Sequence, residues 1–184
     1  MSEATTYDAM KELSAKRYPH ARAILETLPE DDEAQFHLAY LLDHGLGGAR
    51  DVERARAIYQ KLADDGDARG MYYLASLMLR EGQLADALHY FEESAKLNHI
   101  SAAYWSAELH NGAFGFPTDE GKYVYYMNQA ASLGHLFAKR DQALRQMKGA
   151  SNVFVWGKSL LRYMGTSIKA VGVAVRDPRD LRLR

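Results

Sequence analysis

An eight-residue block, Ala21-Arg22-Ala23-Ile24-Leu25-Glu26-Thr27-Leu28, returns 34 residues later as Ala55-Arg56-Ala57-Ile58-Tyr59-Gln60-Lys61-Leu62. Between them Leu38-Ala39-Tyr40-Leu41-Leu42 returns 36 residues on as Leu74-Ala75-Ser76-Leu77-Met78. Self-similarity at such a period is the mark of an array in which each unit buries its apolar side only against its neighbours. Apolar residues make up 47% and charged residues 26% of the 184 positions, enough for a continuous core and too apolar for a disordered chain. With only four prolines, long helices are permitted.

Three copies superimpose. They open at Ala34, Gly70 and Ala102, and Ala138 begins a fourth, unfinished one. Within each copy the apolar positions fall at helical spacing in two blocks separated by Gly-bearing turns, so each unit is predicted to be a helical hairpin. Asp51 and Thr118 are the expected N-caps of second helices, with acids following that suit the helix dipole. Gly66, Asn98 and Gly134 stand where a left-handed residue closes a helix. The predicted organisation is a degenerate leading helical unit over 1–33, a repeat array over 34–150, and a C-terminal amphipathic helix with a basic tail over 151–184.

Gly45-Leu46-Gly47-Gly48-Ala49-Arg50-Asp51 followed by Ala55, Tyr59, Ala63 and Gly66 resembles a Sel1-like repeat, a relative of the tetratricopeptide repeat. Ala130-Ala131-Ser132-Leu133-Gly134 resembles the closing segment of the same repeat. The second copy departs, with Glu81-Gly82-Gln83 in place of the longer turn, and the third has Ser106 where Leu is usual. The resemblance implies an all-α fold, an α/α superhelical solenoid, acting as an adaptor or scaffold for a protein or peptide partner. Bacterial relatives commonly work in signalling and envelope assembly. Cysteine-rich members have been linked to enzymatic activity, and this chain, with no cysteine, does not resemble those.

In related arrays the first helix of each hairpin lines the concave face. Carried over by position, Phe36, Tyr72, Tyr104 and Arg140 occupy one row, and Tyr40, Ser76, Glu108 and Leu144 the row one turn along. Asp43, Arg69, Arg80 and Asn111 flank them. Aromatics bordered by both charge signs suit a peptide with apolar anchors, and Phe36, Tyr40, Tyr72, Arg80, Tyr104, Glu108 and Arg140 are the candidate partner-binding residues. The competing reading has the tyrosines covering adjacent helices, hydroxyls toward solvent.

Charge is unevenly spread. Residues 151–184 carry seven Lys/Arg against two Asp, while the rest of the chain is net acidic. Along residues 153–175, Lys158, Arg162 and Lys169 fall within about 40° of one another on a helical wheel, with Arg176 beside them. Trp156, Leu160, Met164, Ile168 and Val171 fall on the other side. Each of the three basic residues would cost roughly 2.5–3.5 kcal/mol near a bilayer centre, which disfavours a span. Three readings stand: a cap on the last hairpin, a helix lying on an anionic membrane surface, or a docking helix for another subunit. Gly157, Gly165 and Gly172 could divide it in two. Arg176–Arg184 reads as a basic tail.

Other chemistry is not expected. Without cysteine there is no thiolate catalysis or Cys-bearing zinc site, and seven scattered histidines give no metal-site spacing. Gly45-Leu46-Gly47-Gly48 lacks the Lys-Ser/Thr of a phosphate loop. Asp64-Asp65 and Glu92-Glu93 read as solvated pairs near helix ends, without the apolar setting that acid–base work requires. No cofactor, metal, catalytic residue or nucleic-acid partner is predicted. Residues Met1–Asp8 show no secretory leader, so a cytoplasmic protein is expected, with a peripheral place at the inner membrane face and a part in an envelope or polysaccharide assembly system as the alternative.

Overall fold

Each hairpin begins with the same capping device. The residue three positions before the opening small residue accepts a backbone N–H with its side chain: Asp31 from Ala34 (3.0 Å), Asp67 from Gly70 (3.1 Å), His99 from Ala102 (3.3 Å) and His135 from Ala138 (3.3 Å). One N-terminal donor is thereby satisfied in each first helix. These bonds come from a computed structural model, which describes residues 5–148 and 153–176, with side-chain surroundings in the last helix for residues 157–169. The expected tail beyond Arg176 and the side chains of Trp156 and Val171 lie outside the described residues.

The described residues form ten α-helices and no strand. They are α1 (Thr6–Ser14), α2 (Tyr18–Leu25), α3 (Asp32–His44), α4 (Val52–Asp64), α5 (Ala68–Arg80), α6 (Leu84–Lys96), α7 (Ile100–His110), α8 (Glu120–Leu133), α9 (Leu136–Lys148) and α10 (Val153–Arg176), with a short 3-10 turn at Ala113–Gly115. The chain divides into two compact units, Met1–Glu81 and Gly82–Arg184. Helices α3, α5, α7 and α9 each begin at the opening of a repeat, as the repeat spacing predicts.

In the first unit α3 packs on α4 and α4 on α5, around Leu38, Leu41, Leu42, Tyr59, Leu62, Leu74 and Leu77, all essentially without exposure. Each of these leucines is worth about 1.5–3 kcal/mol of burial. Ala34, Ala39, Ala55 and Ala75 are fully buried as well, and their small size lets the helices approach. In the second unit α6 packs on α7, α7 on α8, α8 on α9 and α9 on α10, around Phe91, Leu109, Met127 and His135.

Gly66, Asn98 and Gly134 adopt the expected positive φ, at +87°, +62° and +111°. Asp51 caps α4, accepting from the Arg54 amide at 3.0 Å. The cap of α8 is Asp119 rather than Thr118. The Asp119 amide is tied to the His110 carbonyl at 2.8 Å, which holds that residue outside the helix, and its carboxylate accepts from the Lys122 amide at 3.0 Å. Nor do the three glycines divide the last helix, since α10 runs unbroken from Val153 to Arg176. A glycine costs a helix about 1 kcal/mol, which packing along α9 offsets.

Candidate functional site

In the first unit the candidate residues gather where α3 and α5 face each other. The Arg69 guanidinium lies 4.5 Å over the Phe36 ring and reaches Glu33 at 2.7 Å, with Asp67 at 2.8 Å on its other side. The Asp67 hydrogen bond in particular raises the Arg69 guanidinium above its ordinary value, against the opposing effect of burial. Phe36 and Tyr72 are buried, 8% and 6% exposed, and so form the floor of this face. Tyr40 is half-buried, its ring stacked on His44 at 4.0 Å.

Tyr73, which the positional rule passed over, is the hub. Its ring meets Phe36 at 5.4 Å, Tyr40 at 5.9 Å, Tyr59 at 5.3 Å and Tyr72 at 5.2 Å. It stands 36 residues after His37, and Trp105 holds the matching place in the third copy. That row, one residue beyond the one chosen, was visible in the repeat register.

At the far end of the same face Asp43 is 3% exposed. Arg80 Nη2 donates to both of its carboxylate oxygens, at 2.7 and 2.8 Å. Arg50 adds Nη2 to Oδ1 at 3.2 Å and Nε to the Asp43 carbonyl at 2.6 Å. A buried carboxylate thus fixes two guanidiniums that are themselves about half in water.

In the second unit Tyr104 is half-buried, stacked on His135 at 4.1 Å and near Phe137 at 6.5 Å. Arg140 is exposed, with its guanidinium 5.3 Å from the Phe137 ring centroid. Burial raises the Glu108 carboxyl above its ordinary value, and nearby Asp141 adds to this against the opposing Tyr104 hydrogen bond. Burial, together with Glu108, pushes the Tyr104 hydroxyl up to about 12. Tyr104, Glu108 and Arg140 therefore form one patch, carrying both charge signs beside aromatic rings.

Glu92, read from sequence as solvated near a helix end, lies half-buried inside α6. It accepts from His110 Nε2 at 2.8 Å and pairs with Lys122 at 3.5 Å. Burial pushes its carboxyl up, but these two partners outweigh burial and hold it below the usual range. With His99 and His135 serving as caps, three histidines have structural posts that spacing alone did not reveal. Among the described residues no group of His, Asp and Glu is arranged to hold a metal ion. A hollow of about 400 Å³ is lined by Val124, Asn128, Gln142, Arg145 and Gln146, with Asn128 and Gln142 already hydrogen-bonded to each other at 3.1 Å.

On α10, Lys158, Arg162 and Lys169 are exposed, and Leu160 is half-buried. Ser159 and Thr166 are the buried positions among its described side chains, while Met164 and Ile168 are exposed. No described helix is long and apolar enough to cross a membrane.

Comparison with known proteins places these features in a family. A comparison with curated proteins gave no match. Among solved structures, a Sel1 repeat protein from Oxalobacter formigenes superimposes with a TM-score of 0.75 at 24% identity, covering 95% of this chain and 71% of that one. A protective antigen present in uropathogenic Escherichia coli strains, displaying an SLR fold, superimposes with a TM-score of 0.72 at 17% identity, covering 90% of this chain and 38% of that one. At these identities the likeness is one of fold. The Sel1 repeat pattern itself matches residues 32–67, 68–99 and 100–135, more than half of the chain, which therefore belongs to the Sel1 repeat family.

Proposed function

We propose that this chain is an adaptor that captures a segment of a partner protein on the exposed faces of its first helices. Sel1 repeat proteins serve in general as protein-interaction scaffolds, and their fold is typical of non-enzymatic proteins. The finer reading rests above all on Arg80, a half-exposed guanidinium held in place by the buried Asp43 carboxylate. Such a group offers charge-assisted hydrogen bonds at little ordering cost, and Arg and Tyr are the residues that dominate binding at interfaces. Tyr40, about one helical turn before Asp43, and the Tyr104–Glu108–Arg140 patch of the second unit have the same mixed character. Phe36 and Tyr72 act from beneath, as a rigid floor rather than as contacting anchors.

The test is a synthetic peptide array probed with the full chain, the bound peptides then being titrated by fluorescence anisotropy against Tyr40→Ala and Arg140→Glu. Loss of a contacting hot spot weakens binding about tenfold or more. Circular dichroism confirms that both variants remain folded. Peptides that bind both variants with undiminished affinity would overturn the proposal.

A further inference from the structure

Three large apolar side chains stand in water on one side of α10: Leu161 at 72% exposure, Met164 at 51% and Ile168 at 70%. Their spacing of three and then four residues puts them on a single stripe. The helix uses a different side to pack on α9, where Ser159 and Thr166 are buried among its described side chains. Arg162 reaches Gln146 of α9 at 3.0 Å from near the edge of that packed side. At about 100° per residue, the apolar stripe lies roughly opposite the packed side, and the Lys158–Arg162–Lys169 row lies on the flank between them. The helix thus packs along α9 and still presents an apolar stripe outward.

We infer that α10 lies on an anionic membrane surface, with Leu161, Met164 and Ile168 inserted at the headgroup boundary and the basic row against the headgroups. Charge decides among the occupants of this stripe. Residues 151–176 contain four basic residues and no acidic one. A second copy pairing through the same stripe in twofold fashion would set this cationic helix against itself, which is unfavourable. An anionic lipid surface accepts both the apolar stripe and the positive flank. Like every described helix, it is not long and apolar enough to cross a membrane. It lies in the plane instead, where long basic side chains can extend to the phosphates while their stems stay near the apolar layer.

The experiment is co-sedimentation of the full chain with vesicles of phosphatidylcholine alone and of phosphatidylcholine containing about one-third phosphatidylglycerol. Binding is expected to the anionic vesicles and to weaken as salt rises from about 0.1 M to about 1 M, which shortens the screening length from roughly 10 Å to 3 Å. Lys169→Gln should lower the partition coefficient about fivefold, the equivalent of one juxtamembrane charge. Leu161→Asp with Ile168→Asp should abolish binding while leaving the circular-dichroism melt unchanged, since both side chains are exposed in the free chain. Absence of binding to anionic vesicles would overturn the inference, as would equal binding by the doubly substituted chain. A dimer in sedimentation that the double substitution disperses, with no vesicle binding, would assign the stripe to a second copy and overturn it as well. None of these outcomes bears on the peptide-binding test, which depends on residues of other helices.

Discussion

Removing Arg80 should destabilise the first unit more than an ordinary surface ion pair would. Asp43 is almost fully buried, and Arg80 supplies its two shortest side-chain contacts. Exposed pairs are worth about 0.2–1 kcal/mol, whereas breaking a buried pair costs about 3–5 kcal/mol because one charge is left behind without its partner. Here one end is buried and the other half in water, so Arg80→Ala should cost about 2 kcal/mol, or roughly 4–8 °C in melting temperature for a chain of this size. The size of the second step is the stricter test. Adding Asp43→Ala to Arg80→Ala removes a buried carboxylate that then has only the longer Arg50 contact, so the double variant should lose less than about 1 kcal/mol further. Urea unfolding followed by far-UV circular dichroism reads both steps. Trp105 and Trp156, the only tryptophans, both belong to the second unit, and their fluorescence supplies an internal reference. Strictly additive losses would refute the claim that the penalty arises from an uncompensated buried charge.

Other outcomes follow from the packing and the titrating groups. Gly70→Ala should cost about 1–3 kcal/mol by overpacking, because its new Cβ would stand 2.6 Å from Leu62 Cβ where α5 crosses α4. Gly47→Ala should cost at least as much, since φ is +79° and the added carbon would meet the Tyr18 carbonyl oxygen at 2.5 Å; thermal melts measure both. The lowered carboxyl of Glu92 gives stability that is present above the ordinary glutamate range and lost as pH falls through the folded value. Glu92→Gln should therefore lower the melting temperature at neutral pH and flatten its decline on acidification, as a pH series of melts would show.

The hairpins were legible in sequence because the array repeats its own rules. Small residues at Ala34, Gly70 and Ala102 open first helices that pack closely, and left-handed residues follow second helices at Gly66, Asn98 and Gly134. The capping row was less legible. Asp31 and Asp67 are ordinary caps, but the same post in the next two hairpins is held by His99 and His135, residues that composition treats as potential ligands. Only their register, three positions before each opening residue, gives them away. Tyr73 was missed for a related reason. A positional rule chooses one residue per helix, whereas the aromatic cluster of the first unit is built from two neighbouring positions, Tyr72 turned inward and Tyr73 turned toward α3.

The last helix shows why a helical wheel alone decides less than it promises. The wheel sets Met164 and Ile168 apart from the basic row, and both are exposed, but their neighbour on the exposed stripe is Leu161, which the wheel reading left out, while Leu160 is half-buried. What the wheel cannot supply is the third direction, the side that touches the rest of the protein. By the usual expectation an apolar stripe marks the packed side, which would make α10 a cap and nothing more. Yet Ser159 and Thr166 are the buried positions, and Thr166 satisfies its hydroxyl locally, donating to the Arg162 carbonyl at 3.0 Å and lying 2.9 Å from the Tyr163 carbonyl. Small residues at these two positions permit a close approach to α9, as where helices pack in lipid. The apolar residues are then left available to a second environment. Capping and membrane contact, competing readings of the sequence, become compatible once they are assigned to opposite sides of one helix.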